Sequence, residues 1–173
     1  MEPEVHIIEK YYQELHNCFT MTNIQVDREG QKEKYEIDLL AFDPENNEYY
    51  HIESSIRTTS KLRLKSKVYS KKNYTVEKFY REKFANYLVE KHINGIIKNK
   101  PYNKILVVWD TQDDLKELNQ KAKNLGIKVI SLMGIIQSLS NHKKTSGSRD
   151  IVLRIMELVY LEKKWEKEVL KKI

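Results

Sequence analysis

The chain has few of the residues that staple, bend or interrupt a fold. A single cysteine, Cys18, excludes an internal disulfide, and the five histidines are too scattered for a Cys/His zinc site. Five glycines and three prolines in 173 residues exclude collagen-like and linker-like composition. No run approaches the roughly 20 apolar residues that cross a bilayer. The N-terminus opens on acids instead of a basic segment followed by an apolar one. These absences predict a cytoplasmic protein that is neither secreted nor partnered with a membrane, and that owes its stability to packing.

What is present supports a packed core: 40% of residues are hydrophobic and 10% aromatic. The length suits one domain over residues 1–173, a size that buries roughly two thirds of the surface of the unfolded chain. The net charge of +6 is unevenly placed. Between Ile56 and Tyr74 stand seven basic residues, Arg57, Lys61, Arg63, Lys65, Lys67, Lys71 and Lys72, and no acid. Elsewhere 24 basic residues meet 25 acids, so this one segment carries the whole positive excess. With Tyr69 and Tyr74 interleaved, it suits a nucleic-acid backbone, because neutralised phosphates release counterions and aromatic faces stack on bases. A solvated loop that only aids solubility has the same composition.

Hydrophobic spacing gives the order of elements. Val5, Ile8, Tyr12, Leu15 and Phe19 recur at helical steps and predict a helix from Val5 to about Cys18, with Glu9 on the same stripe. Strands are expected over Phe19–Asp27, Tyr35–Phe42 and Tyr49–Ser55, the last two joined as a hairpin through Asp43, Pro44, Glu45, Asn46 and Asn47. A long helix from Thr75 to about Ile97, a strand Lys104–Trp109, a helix from Thr111 to Leu125, a strand Ile127–Leu132 and a short helix Met133–Leu139 follow. Asn141–Ser148 reads as a loop, and Asp150–Lys172 as a final amphipathic helix whose Ile155, Leu158 and Val159 suit either a core or a homodimer surface. A meander followed by crossover helices predicts an α/β fold: a mixed central sheet in a three-layer αβα sandwich, closed by C-terminal helices.

Glu9, Asp38 and Glu53 stand where a purely structural chain would put apolar groups. A buried carboxylate without a partner costs several kcal/mol. The two-residue strand period puts Tyr49, His51, Glu53 and Ser55 on one face, and Glu36, Asp38, Leu40 and Phe42 on one face of the preceding strand. Closing the hairpin lets Asp38 and Glu53 converge. Paired carboxylates suit Mg²⁺ or Mn²⁺, which take oxygen ligands and retain waters. The alternative is that Asp38 faces solvent, Glu53 pairs with Arg57 or a neighbouring lysine, and Glu9 pairs with a tyrosine hydroxyl. His51 reads as a hydrogen-bonded packing residue or a further ligand, Trp109, Tyr49 and Tyr50 as core, and Cys18 as a buried small hydrophobe.

Glu36-Ile37-Asp38-Leu39-Leu40-Ala41, a turn, and Tyr50-His51-Ile52-Glu53-Ser54-Ser55 resemble the core of the PD-(D/E)XK, or restriction-endonuclease-like, nucleases. The later Gly126-Ile127-Lys128-Val129-Ile130 resembles the end of Mrr-like and Holliday-junction-resolvase-like members. The resemblance spans about Val5 to Leu132 and implies an αβββαβ core that cuts DNA with Mg²⁺ or Mn²⁺. Asp38 and Glu53 would be its metal ligands, Glu9 an accessory acid, and Arg57 to Lys72 the DNA-holding segment. Where the family has a lysine, two residues after the second acid, this chain has Ser55, which cannot replace an ammonium electrostatically. Either Lys61, Lys65, Lys78 or Lys83 reaches back to supply the charge, or the site is a degenerate one that binds DNA without cutting it.

Overall fold

A computed structural model describes residues 2–28, 30, 34–56, 76–108 and 115–142. Helix α1 (Pro3–His16) leads into strands β1 (Phe19–Val26), β2 (Tyr35–Asp43) and β3 (Glu48–Ser55). A short helix α2 (Val76–Phe79) runs into a π-helical turn (Tyr80–Phe84) and then α3 (Tyr87–Ile97). Strand β4 (Tyr102–Val108), helix α4 (Leu115–Asn124), strand β5 (Ile127–Ser131) and helix α5 (Leu132–Asn141) complete the described chain. As far as the described residues reach, this is the order anticipated from the hydrophobic pattern: an αβββαβ core followed by a helix, a strand and a further helix.

The strands form one sheet in the order β1-β2-β3-β4-β5. The first three pair antiparallel and the last two join in parallel, so the sheet is mixed. Side-chain alternation then sorts the core into two layers. Leu39, Ala41, Ile52, Ile105 and Val107 face α1 and α5, packing with Ile8, Tyr12, Leu132, Ile135 and Leu139. On the opposite face Leu106, Val108 and Ile127 meet Val76, Phe79, Phe84, Leu118 and Ala122, while Leu40 meets Val89, Ile93 and Ile97 of α3. The result is a three-layer αβα sandwich. Among the described residues no helix is long and apolar enough to cross a membrane.

Local chemistry explains most boundaries. Pro3 lies in the first turn of α1, where a missing N–H costs nothing, and Asn17 closes the helix with a φ of 50°. The β2–β3 turn is built on the Asp43 carboxylate, which accepts from the Glu45 and Asn46 backbone at 2.9 and 3.1 Å and from the Asn46 side chain at 2.7 Å. Ser131 caps α5 by accepting from the Gly134 N–H.

The expected single helix from Thr75 to Ile97 is a correction. The chain widens into the π turn and breaks at Ala85, and Asn86 starts a new helix by accepting the Leu88 N–H at 3.0 Å. Hydrophobic spacing did not reveal the break because apolar residues continue on both sides of it. Its effect is to bury Phe84 completely, with its ring edge-on to His51 at 4.8 Å between centroids. Phe84→Ala should therefore destabilise the fold by about 3–5 kcal/mol, the usual cost of deleting a buried aromatic ring, measured by urea denaturation. Trp109, Thr75, most of the Asn141–Ser148 loop and the final helix Asp150–Lys172, with its homodimer surface, lie outside the described residues.

Candidate active site

The hairpin register brings the two expected acids together. Leu40 pairs with His51 and Leu39 with Ile52, so the next step along the strands sets Asp38 level with Glu53. Regular pleating is interrupted here: Asn23, level with Asp38 on β1, takes a φ of 51°, and Ile37 joins the cluster of Leu40 rather than that of Leu39. Asp38 is fixed from β3, accepting the Ser54 N–H at 2.7 Å and the Ser54 hydroxyl at 2.9 Å, both on Oδ2. Glu53 is fully buried, and its Oε1 lies 2.8 Å from His51 Nε2.

Each carboxylate thus has one oxygen anchored on the strands and one turned to Lys83. The Lys83 Nζ lies 2.7 Å from Glu53 Oε2 and 3.5 Å from Asp38 Oδ1. The same ammonium donates to the Glu36 carbonyl at 2.9 Å. Lys83 is supplied by the π turn, a local widening of the kind often found at functional sites. Because Phe84 is pinned beneath His51, the preceding residue is held over the acid pair.

The electrostatics follow from burial. Glu53 titrates well above the ordinary carboxylate range because it is buried and stands beside Asp38, with Lys83 opposing the rise. Burial works against the Lys83 ammonium, but Glu53 and Asp38 outweigh it and hold the pKa above the usual lysine value. Burial, then Lys83 and Lys104, push His51 down to about 3. His51 is therefore a neutral imidazole, and its Nδ1 has no hydrogen-bond partner among the described residues. Burying an unpaired lone pair costs less than burying an unpaired N–H (compare the rarity of orphaned donors), so the proton belongs on Nε2, which donates to Glu53. Lys83 is a cation and no base; His51 holds Glu53 in place.

The other expected site residues fall differently. Glu9 accepts from the Thr20 hydroxyl at 3.0 Å and from Gln13 at 3.4 Å, and lies 3.3 Å from His6 Nδ1. It is tied to β1 and makes no contact with Asp38, Glu53 or Lys83, which corrects its expected place beside them. Its partner is a threonine, not a tyrosine. The acid that senses Asp38 is Glu2, just before α1: burial and Glu4 raise its pKa most, and Asp38 and Glu36 add to the rise. Ser55 is half-buried at the end of β3, level with Val108, and its hydroxyl makes no hydrogen bond among the described residues. Its neighbour Ser54 is the serine that does the positioning, and the doublet was the one sequence signal for it. Lys78 pairs instead with Glu82 at 3.7 Å. Arg57, Lys61, Arg63, Lys65, Lys67, Lys71 and Lys72 lie outside the described residues; the chain that carries them departs after Ile56 and returns at Val76, beside the elements that supply Glu53 and Lys83.

Among the described residues no group of three or more His, Cys, Asp or Glu side chains is arranged to hold a metal ion. Two carboxylate oxygens facing one shared cation nevertheless fit a hard divalent ion that completes its shell with water. Asp38 Oδ1 and Glu53 Oε2 are the atoms that would hold it.

No protein-family model matches the chain, and no curated protein matches it significantly. A crystal structure described as a protein of unknown function, AF1548, aligns with 91% of this chain and 78% of its own length at 19% identity and a TM-score of 0.47.

Proposed function

We propose that this protein is a metal-dependent DNA endonuclease of the restriction-endonuclease-like kind, hydrolysing phosphodiester bonds. The observation that carries the reading is the ammonium of Lys83 shared by Asp38 Oδ1 and Glu53 Oε2. A lysine delivered from a helical segment stands in for the one that Ser55 lacks. Sequence reasoning left four lysines open, and the packing of Phe84 against His51 is what favours this one.

When bound between Asp38 and Glu53, Mg²⁺ or Mn²⁺ would polarise a phosphate oxygen and acidify a coordinated water. The chain's own groups have distinct tasks. Ser54 and His51 hold one oxygen of each acid, so that the other two stay aimed at the shared cation position. Lys83, kept protonated by those acids, offsets negative charge that grows on the phosphate during water attack. The basic segment from Arg57 to Lys72 binds the backbone, with an affinity that falls steeply as salt rises.

The test is cleavage of supercoiled and branched DNA by the full chain with Mg²⁺, Mn²⁺ or EDTA. Divalent-dependent cutting that Asp38→Ala reduces by on the order of 1000-fold, while salt-sensitive DNA binding persists, is the expected result. Salt-sensitive binding without cutting in any divalent ion would identify a non-catalytic DNA-binding module instead. Cutting that survives the loss of Asp38 would remove the site from consideration.

A further inference from the structure

Lys83 does more than fill a vacant motif position. Its nitrogen lies against Asp38 Oδ1 and Glu53 Oε2, one oxygen from each acid. The other two oxygens are already committed, one to Ser54 and the other to His51. Among the described residues, this acid pair therefore has no further free oxygens for another cation. An ammonium and a divalent ion cannot share this place, because two positive charges within a few ångströms repel strongly where burial weakens solvent screening. The lysine is only part-buried, with 27% of its side chain exposed, while Glu53 has none exposed. Lys83 is thus the member of this contact that reaches solvent, and Glu53 is not.

From these contacts we infer that Lys83 is a built-in, displaceable counter-ion that competes with divalent metal for Asp38 and Glu53. It neutralises the buried acids in the metal-free protein and leaves them when metal enters. This rests on the reading of the acid pair as a metal site. The exposed part of the Lys83 side chain gives the ammonium a direction in which to move, toward solvent, where a bound phosphate would be negative. Metal and DNA phosphate then bind cooperatively, since phosphate offers the displaced lysine a new partner. Metal binding without DNA is correspondingly weak.

The inference predicts opposite effects of one substitution on two measurements. Removing Lys83 should weaken cleavage yet strengthen metal binding, whereas a residue that merely supports the fold would weaken both. The experiment is Mn²⁺ titration of the full-length protein without DNA, followed by electron paramagnetic resonance of free Mn²⁺, for wild type, Lys83→Ala and Lys83→Met. Lys83→Met keeps the apolar stem and guards against a folding defect in the alanine variant, and circular dichroism checks both. Asp38→Ala serves as the control that removes a ligand.

The expected result is Mn²⁺ affinity at least about tenfold tighter in both lysine variants, the effect of removing one competing charge worth about 1.4 kcal/mol. A short duplex should tighten Mn²⁺ binding in wild type and do so much less in the variants. Equal or weaker affinity in the folded lysine variants, with binding still abolished by Asp38→Ala, would overturn the competition and leave the metal site standing. Failure of wild type and both variants to bind Mn²⁺ would overturn the metal site and the competition together.

Discussion

Glu53→Gln should lower cleavage by on the order of 1000-fold and at the same time reverse part of the protein's loss of stability with rising pH. The second effect follows from proton linkage. Glu53 titrates well above its ordinary value of 4.5 in the folded chain, mainly through burial and then through Asp38. Above that ordinary value the unfolded chain gives up the proton first, so the folded state binds more protons and stability falls as pH rises through the folded pKa. Glutamine has no such proton. The melting temperature of Glu53→Gln relative to wild type should therefore shift in the variant's favour from about pH 4.5 upward, whatever constant offset arises from exchanging the His51 hydrogen bond. Differential scanning fluorimetry across pH, paired with cleavage assays, measures both. A difference that stays flat with pH would mean that Glu53 does not carry the perturbed proton.

Lys83→Ala should cut turnover by about 100- to 1000-fold, the usual loss when one donor to developing charge is removed. On the proposed function DNA affinity should change little, because the seven basic residues between Ile56 and Tyr74 would supply most of the phosphate contacts. The pH profile distinguishes cation from base. Asp38 and Glu53 hold the Lys83 pKa above the ordinary 10.5, so the ammonium persists through the physiological range. A lysine acting as a base would make wild-type activity climb as it loses its proton in alkaline solution. Acting as a cation, it should instead give activity that declines as pH rises through its folded pKa, and the variant should lack that limb. The same sign applies to stability: the contribution of the Lys83 ion pairs is complete below the unfolded lysine pKa and disappears above the folded one.

The acid pair was legible in the sequence because a hairpin turns a two-residue period into a meeting point. Asp43, Pro44 and Asn47 mark the turn, and counting back and forward from it reaches Asp38 and Glu53. The lysine was only partly legible. Its position depends on a π turn and a break at Ala85 inside a stretch whose apolar spacing reads as unbroken helix, and on Phe84 finding His51 across the sheet. Those are tertiary contacts, with no local periodicity to announce them. Glu9 was misplaced for a related reason. The periodicity gave the helix and its inward stripe of Val5, Ile8 and Tyr12, but not what Glu9 beside that stripe would meet, which is Thr20 of β1.

The pairing of α1 with α5 has a consequence for how the chain is made. Ile8 and Tyr12 are covered by Leu132, Ile135 and Leu139, residues that leave the ribosome more than a hundred positions later. Until then the layer that α1 forms over Leu39, Ala41 and Ile52 lacks its second helix and stays open on that side, and a holding factor has something to grip. A message cut short before the codon for Leu139 would yield a polypeptide that cannot seal this layer, and such a fragment should aggregate or be degraded instead of persisting as a partly working protein.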